Sequence, residues 1–360
     1  VRERGRAVHR DCTAPTFIMS PPGYRRMSYE LVLSTDDHDS LDSLAARARH
    51  AEQLGFERVS AGETTGWDMV SAFTVVGERT EEIGVSTDVL SPYGRAPTVL
   101  AQTALTMHDT TDGRFRLGLG TSSPAIAEGW HGGDFDRPLR RLRECLDIIR
   151  EVYEGGSVEY EGECYDVGGL RYSRPVPEEP PAIDVAALGP KATELVGRFA
   201  DGWVPQLFTA DGLRDRLADL ERGADLGGRA VEDVRVTPLV RTVASEDREQ
   251  ARASARSAVA FLIGAYGPFY GDSVAKQGYP DVVDEIREAW ESDRDTDAMA
   301  AALPDELLDS LAAAGTPREV RERLSTFRDI DGVDAVRVGF ASGLDDDTKE
   351  ATMAAVEPLL

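Results

Sequence analysis

The sequence predicts an α/β fold, a (β/α)8 TIM barrel with insertions, on three observations. Short apolar runs rich in β-branched residues alternate eight times with amphipathic stretches. The connections between successive runs are long enough to hold a helix, as parallel strands require. The chain has 360 residues, which suits one barrel domain.

The predicted elements follow in order from Tyr29. The strands are YELVLS from Tyr29, RVSAG from Arg58, IGVSTDVL from Ile83, FRLGLG from Phe115, AIDVAAL from Ala182, DGWVPQL from Asp201, VRVTPLVRTVA from Val234 and AVRVGF from Ala335. The helices cover 41–54, 67–80, 98–109, 138–153, 191–200, 211–225, 245–263, 317–327 and 346–356. Gly55 ends the first helix, and Pro138 begins the helix after the fourth strand.

Two stretches interrupt the alternation and are predicted as insertions, near 155–181 and 265–312. The first, GGSVEYEGECYDVGGLRYSRP, has two short alternating runs around glycine and predicts a hairpin. The second has mixed helix signals and begins with the aromatic segment GAYGPFYGD, a candidate lid or an ordinary loop. We expect residues 28–360 to form one domain.

Residues 1–27 differ in composition from the rest. Up to Arg26 they contain six arginines, two acids and three prolines, with no hydrophobic period and no apolar segment typical of a signal peptide. We expect a disordered N-terminal extension. Met27, immediately before the first strand, is a candidate natural start.

The composition excludes several classes of function. The formal net charge is −25, which disfavours nucleic acid and anionic lipid as partners. Three cysteines without CxxC spacing predict neither a disulfide framework nor a metal site. Only three residues are lysine, so this acidity predicts a cytoplasmic protein of a halophilic, haloarchaeal source, or simply an acidic cytoplasmic protein.

Polar and small residues after the strands are the candidate site, because barrel enzymes work at the carboxyl ends of their strands. By this rule the candidates are Ser34 to Asp36, Glu63, Thr64, Asp88 to Ser91, Thr121 to Ser123, Leu188, Gly189 and Gly339 to Ser342.

One ordered set of motifs carries a family resemblance. S-P-x-x-R-x-P from Ser91, then a helix, then G-R-F-x-L-G-L-G-T from Gly113, resembles the luciferase-like monooxygenase superfamily, in particular its coenzyme F420-dependent oxidoreductases. The resemblance runs from about Tyr29 to the C-terminus. It implies a bacterial luciferase-like barrel that binds coenzyme F420, a deazaflavin, or alternatively FMN.

The resemblance also implies roles for single residues. A non-prolyl cis peptide backs the coenzyme ring in this family, and the matching bond is Asp88-Val89 or a neighbour. The loop at Leu188 and Gly189 holds the coenzyme phosphate. In sugar-phosphate dehydrogenases of the family an acid-His pair occupies the position of Glu63-Thr64; a hydroxyl cannot replace that imidazole as a base, so we do not carry over that substrate.

Glu63 and His131 are the predicted catalytic residues. His131 follows the fourth strand in a loop beside a strand-end candidate, where a surface histidine with local contacts is the alternative interpretation. Ser34, Glu63, Thr64, Asp88, Val89, Ser91, Thr121, Ser123, Leu188 and Gly189 are the predicted cofactor-binding residues. Arg95 is a candidate contact for an anionic coenzyme tail, with a surface charge at the start of a helix as the alternative interpretation.

We therefore predict an F420-dependent oxidoreductase that transfers hydride between the deazaflavin C5 and a small-molecule substrate not identified by the sequence. The alternatives are an FMN-dependent monooxygenase and a barrel that binds coenzyme without turnover. We expect no metal, no nucleic-acid partner and no membrane association, and a possible homodimer.

Overall fold

A computed structural model of the chain describes residues 28–360. The predicted extension over 1–27 lies outside these residues. The strands are β1 (Ser28–Val32), β2 (Arg58–Ala61), β3 (Gly84–Thr87), β4 (Phe115–Leu119), β5 (Val158–Glu161), β6 (Asp166–Leu170), β7 (Ile183–Ala186), β8 (Gly202–Val204), β9 (Arg235–Val236), β10 (Leu239–Ala244), β11 (Ala312–Gly315) and β12 (Ala335–Phe340).

Helices connect most of these strands. They are α1 (Leu41–Leu54), α2 (Met69–Glu78), α3 (Pro97–Thr110), α4 (Pro124–Ala127), α5 (Pro138–Tyr153), α6 (Pro190–Phe199), α7 (Ala210–Gly227), α8 (Arg248–Gly264), α9 (Pro268–Lys276), α10 (Pro280–Asp293), α11 (Thr296–Ala302), α12 (Asp305–Leu311), α13 (Pro317–Arg328) and α14 (Asp346–Val356). Gly55 ends α1 with φ 100°, and Pro138 occupies the first turn of α5, as predicted.

Ten strands form one sheet in the order β11-β10-β12-β1-β2-β3-β4-β7-β8-β9, and its strand pairs are all parallel. β9 leads directly into β10, and Gln206 after β8 bridges to Leu239 of β10. The two ends of the sheet therefore meet, which closes the predicted (β/α)8 barrel.

The seventh predicted strand is in fact two strands. Thr237 and Pro238 separate β9 from β10, since proline cannot donate a ladder hydrogen bond. β11 was not predicted; its sequence, Ala312 to Gly315, lacks the β-branched residues that mark a strand. It pairs with β10 in parallel, from Arg241 opposite Ala312 to Ala244 opposite Gly315.

Both predicted insertions have their own structure. β5 and β6 form an antiparallel hairpin within the stretch 155–181. Helices α9 to α12 fill the stretch from 265 to 312. No helix within 28–360 combines the length and the apolarity needed to cross a membrane.

Alternation along the strands divides an apolar layer from a charged interior. Tyr29 and Leu31 of β1 are buried among the apolar residues that the helices cover. Glu30 lies between them and is opposite Arg58 on one neighbouring strand and Arg337 on the other. Because successive side chains point to opposite faces, the charges meet inside the barrel.

Candidate active site at the barrel mouth

The ends of β3 and β4 form a shelf of small residues, which we call the ledge: Val89, Gly120 and the backbone between Asp88 and Leu90. The bond between Asp88 and Val89 is cis, as the resemblance implied, and Leu90 pairs with Leu119 of β4. A Cβ at Gly120 would lie 2.5 Å from Cγ2 of Val89. Only glycine therefore fits beside Val89 without displacing it.

Asp88 connects the ledge to an ion network inside the barrel. Its side chain is 5% exposed, and Oδ1 lies 3.1 Å from Nη1 of Arg337. Arg337 is fully buried and also pairs with Glu30 at 2.9 Å and Asp184 at 3.4 Å. Burial raises the pKa of Asp88, and Arg337 opposes this only in part. Oδ2 of Asp88 is buried without a hydrogen-bond partner.

The other two carboxylates of the network behave differently. Burial by itself would raise the pKa of Glu30 and of Asp184, but neighbouring arginines hold both pKa values below their ordinary range. Glu30 also pairs with Arg116 at 3.0 Å, and Asp184 pairs with Arg235 at 2.5 Å. Asp88 thus depends on Arg337 more than the other two do.

Glu63 is fixed at the mouth by an ion pair. Its backbone N–H donates to the Val89 carbonyl at 3.4 Å, and its carboxylate accepts from Arg95 at 2.6 and 3.4 Å. Arg95 also pairs with Asp68, whose side chain caps α2. The hydrogen bond to Glu63 is the largest cause that raises the pKa of Arg95. Arg95 therefore orients Glu63 beside the ledge.

His131 packs against the loop that contains Arg95, at the adjacent residue Gly94. A Cβ at Gly94 would lie 3.0 Å from Cε1 and Nε2 of its imidazole, so the ring packs directly on the Gly94 backbone. Glu63 contacts the adjacent residue, Arg95. The loop from 91 to 96 therefore links the two predicted catalytic residues.

An aromatic row extends from this loop to the second insertion. The ring centroids of Tyr93 and Phe135 are 5.1 Å apart, and those of Phe135 and Phe269 are 5.9 Å apart. Phe269 lies in the first turn of α9. A Cβ at the preceding Gly267 would lie 4.0 Å from Cβ of Ser123. The aromatic segment GAYGPFYGD thus packs against the mouth loops, as a lid does.

Thr121 and Ser123 follow β4 on the side of the mouth that this segment contacts. Ser123 is 7% exposed, and its carbonyl accepts the first backbone hydrogen bonds of the short α4. Ser122 between them has φ 61°, an uncommon value for a residue with a side chain. Thr121 is partly exposed.

Leu188 and Gly189 lead into the N-terminus of α6. Gly189 precedes the helix, and a Cβ there would meet nothing within 4 Å, so the space in front of the turn is open. Pro190 at the first helical position has no N–H, which removes one of the donors expected there. The N–H groups of Lys191 and Ala192 remain without acceptors within the helix.

Three other predicted residues, Ser34, Thr64 and Ser91, lie at strand ends near the site and have mainly local contacts. Ser34 is half-buried after β1, where its carbonyl accepts a backbone bond from Asp37. Thr64 is half-buried beside Glu63. The Ser91 hydroxyl accepts from the N–H of Tyr93 at 3.2 Å, so it stabilises its own turn.

Sequence reasoning missed two polar side chains under the mouth, Arg241 of β10 and Gln206. The signal was present: each lies two residues from an inward-facing position of its strand, so alternation alone directs both side chains into the barrel. In residues 28–360, no cluster of three or more His, Cys, Asp or Glu side chains could hold a metal ion.

Comparison with known proteins agrees with this architecture. The model of the luciferase-like monooxygenase family matches residues 16–334. The chain belongs to this family. The match begins within the segment predicted as an extension and includes every candidate residue of the mouth up to β11.

Several relatives share most of the chain. A protein of Mycobacterium tuberculosis named "Putative coenzyme F420-dependent oxidoreductase" is 31% identical over 77% of this chain and 85% of its own. The 5,10-methylenetetrahydromethanopterin reductase of Archaeoglobus fulgidus is 27% identical over 77% and 83%. The structure of a coenzyme F420 dependent tetrahydromethanopterin reductase from Methanopyrus kandleri superposes with a TM-score of 0.80, at 22% identity over 93% of this chain and 98% of that one.

Proposed function

We propose that this luciferase-like protein is a coenzyme F420-dependent oxidoreductase that transfers hydride between the deazaflavin C5 and a small organic substrate. Family membership and the relatives named for the same coenzyme support the coenzyme class. The observation in the structure that carries the proposal is the ledge: the lack of a side chain at Gly120 lets Val89 pack across the ends of β3 and β4, where a flat ring would rest on it.

The residues around the ledge fit such a coenzyme. A ring resting on Val89 would lie above buried Asp88 and beside Glu63. The N–H groups of Lys191 and Ala192 suit a phosphate, because the N-terminus of a helix attracts anions. The open space at Gly189 leaves room for that phosphate. When bound, the coenzyme would supply the hydride donor or acceptor itself.

The chain's own part is positioning and proton balance. We assign to Glu63 the role of the proton-holding group nearest the ledge, fixed in orientation by Arg95. His131, packed on Gly94, is the second candidate for that role. The segment that contains Phe269 covers one side of the mouth and limits the access of water.

The test is an absorption and fluorescence titration of the purified protein in molar salt, with F420 and separately with FMN. We expect saturable binding of F420 at micromolar concentration and much weaker binding of FMN. A preference for FMN would transfer the function to oxygen-dependent monooxygenation. Binding of neither would refute the assignment of the ledge.

Variants connect the titration to the proposed residues. Glu63→Gln keeps the size of the side chain and its contact with Arg95, so we expect coenzyme affinity within about twofold of wild type and turnover at least about 100-fold lower. Glu221→Gln, on the exposed face of α7, is the control and leaves both values unchanged. If Glu63→Gln and the control variant turn over at the same rate, Glu63 takes no part in the chemistry. A metabolite extract supplies the substrates for the turnover assay.

Bound coenzyme that is never oxidised or reduced by such an extract would favour a carrier. A cytoplasmic location, a halophilic source and a homodimer stay predictions from the composition and the resemblance. Size-exclusion chromatography with light scattering, in molar salt, tests the homodimer.

A further inference from the structure

Arg241 of β10 lies below the mouth, and its side chain is in no ion pair among the residues that the structure describes. Its Nη1 donates to the carbonyl of Phe340 at 2.9 Å, and its Nε is buried without an acceptor. Among residues 28–360, no acidic side chain is in ion-pair contact with its guanidinium, whereas the neighbouring Arg337 has three such contacts. An enclosed charge without a partner is costly, so such a group commonly serves a ligand.

Arg241 is partly exposed, and one of its nitrogens accounts for this exposure. Of its three nitrogens, Nη1 has a partner and Nε is enclosed, so the remaining Nη2 is the one that reaches solvent. Arg241 lies opposite Gly339 of β12, and a Cβ at Gly339 would lie 3.4 Å from Nη1. Glycine at this position thus gives the guanidinium room within the barrel. Nη2 is therefore the nitrogen of this guanidinium that remains for a ligand.

Gln206 presents a second free donor close by. Its Oε1 accepts from Oη of Tyr270 at 3.1 Å, while its Nε2 is buried without an acceptor. It bridges to Leu239, which precedes Arg241 by one inward position on the same strand. Burial lowers the pKa of Arg241, and electrostatic interactions with Tyr270 and then with Asp88 oppose this. Among residues 28–360, Gln206 Nε2 and Arg241 Nε thus both lack an acceptor, at neighbouring positions of adjacent strands.

Asp88 is not in ion-pair contact with Arg241. Its Oδ1 is in the ion pair with Arg337, and it acts on Arg241 only through a longer-range electrostatic attraction, which raises the pKa of Arg241. Guanidinium and amide donors side by side match an oxygen anion, because hydrogen bonds between charged groups are the strong ones and a guanidinium binds two oxygens of a carboxylate at once.

We propose that Arg241 and Gln206 form a subsite for a carboxylate of the substrate, so that the enzyme acts on an organic acid. The proposal rests on the function proposed above, since it names the substrate class of the same mouth. The coenzyme ring also has oxygens, and the experiment separates that source from the substrate.

The experiment is calorimetric titration with benzoate and with its neutral analogue benzamide, in molar salt, on wild type and Arg241→Met. We expect benzoate to bind wild type at least about tenfold more tightly than benzamide, as a charged hydrogen bond predicts. Arg241→Met loses this preference, and Arg241→Lys keeps part of it. Arg318→Met, which changes a guanidinium on the outer surface, behaves as wild type.

Gln206→Leu is the second variant, for use if Arg241→Met does not fold by circular dichroism; it should weaken benzoate and leave benzamide unchanged. Benzoate that binds wild type no better than benzamide, or binds Arg241→Met as well as wild type, overturns the proposal. A parallel titration with F420 should give affinities for Arg241→Met within about twofold of wild type.

Loss of F420 binding in Arg241→Met with an unchanged preference for benzoate would assign the donors to the coenzyme, and the substrate proposal fails. If wild type binds no F420, the proposed function fails instead. The benzoate comparison still decides the subsite in that case, because it requires no coenzyme.

Discussion

Replacement of Arg337 by methionine tests the charged interior of the barrel. Methionine has a similar length but no charge, so Arg337→Met would leave Asp88 without its ion pair. Glu30 and Asp184 would each keep another arginine, at 3.0 and 2.5 Å. The loss should therefore correspond to about one broken buried pair, about 3 to 5 kcal/mol, rather than to three.

The pH dependence of this loss has a definite sign. Without Arg337, the pKa of Asp88 in the folded protein rises further above its unfolded value, because the largest influence that opposes burial is gone. A carboxyl group whose pKa is raised in the folded protein destabilises the fold most at neutral pH. This penalty disappears as pH falls and the carboxyl takes up a proton. The deficit of Arg337→Met should thus be largest near pH 7 and smaller near about pH 5.

Urea unfolding in molar salt, followed by circular dichroism, measures the loss. Arg318→Met is the matched control: Arg318 is 76% exposed, and its pair with Glu322 should contribute nothing measurable. The double variant Arg337→Met with Asp88→Asn should regain about 1 to 2 kcal/mol, since the unpaired charge is gone. A loss below about 1 kcal/mol, or a loss independent of pH, would show that the network is not what stabilises the interior.

Three further predictions concern the ledge, a helix cap and the aromatic row. Gly120→Ala should weaken F420 about tenfold in the fluorescence titration, because its Cβ would displace Val89, while Gly133→Ala in the following loop binds normally. Glu319→Gln keeps an acceptor for the capping box of α13 but removes the negative charge that binds Arg248 at the helix N-terminus, which costs about 1 kcal/mol in urea unfolding at neutral pH. The pKa of Glu319 is lowered to about 2 by the Arg248 and Thr316 hydrogen bonds, so this difference is full above its ordinary pKa and disappears as pH falls through about 2; a constant difference would contradict it. Phe269→Ala should speed F420 release in stopped-flow fluorescence while unfolding free energy falls by only about 1 kcal/mol, and an unchanged release rate would separate the row from the mouth.

The barrel was predictable because its signals are local. Each strand is an apolar run, each helix has its period, and Gly55 and Pro138 mark helix boundaries within a few residues. β11 was not predictable by the same means, because its alanines carry no strand preference and it is held in place by β10. The division of the seventh strand at Pro238 was signalled by the proline itself.

The candidate site was predictable in position and less so in contacts. The barrel rule located Glu63 and the residues of the ledge at strand ends. It could not show that Arg95 pairs with Glu63, because that contact joins two separate loops and depends on side-chain geometry. Arg95 was expected to contact the coenzyme, and the structure gives it two carboxylate partners within the chain.

The charged residues inside the barrel can be found in the sequence, but their ion pairs cannot. Glu30 and Arg337 are each a single charge within an apolar strand, which is visible in the sequence. Their pairing depends on β1 meeting β12, two strands at opposite ends of the chain that become neighbours only when the barrel closes. Arg241 carries the same sequence signal but has no such partner among the described residues. The distinction between a structural charge and a free one is therefore made by topology.

The negative surface charge makes anion binding at the mouth depend on salt concentration. A chain of net charge −25 repels an anionic coenzyme or an organic acid at a distance. Repulsion between exposed charges is screened within about 3 Å in molar salt and extends to about 30 Å at low salt, whereas contacts in an enclosed mouth are screened much less. Binding of an anion at Arg241 should therefore strengthen as salt rises from low to molar concentration, although simple surface ion pairing would weaken.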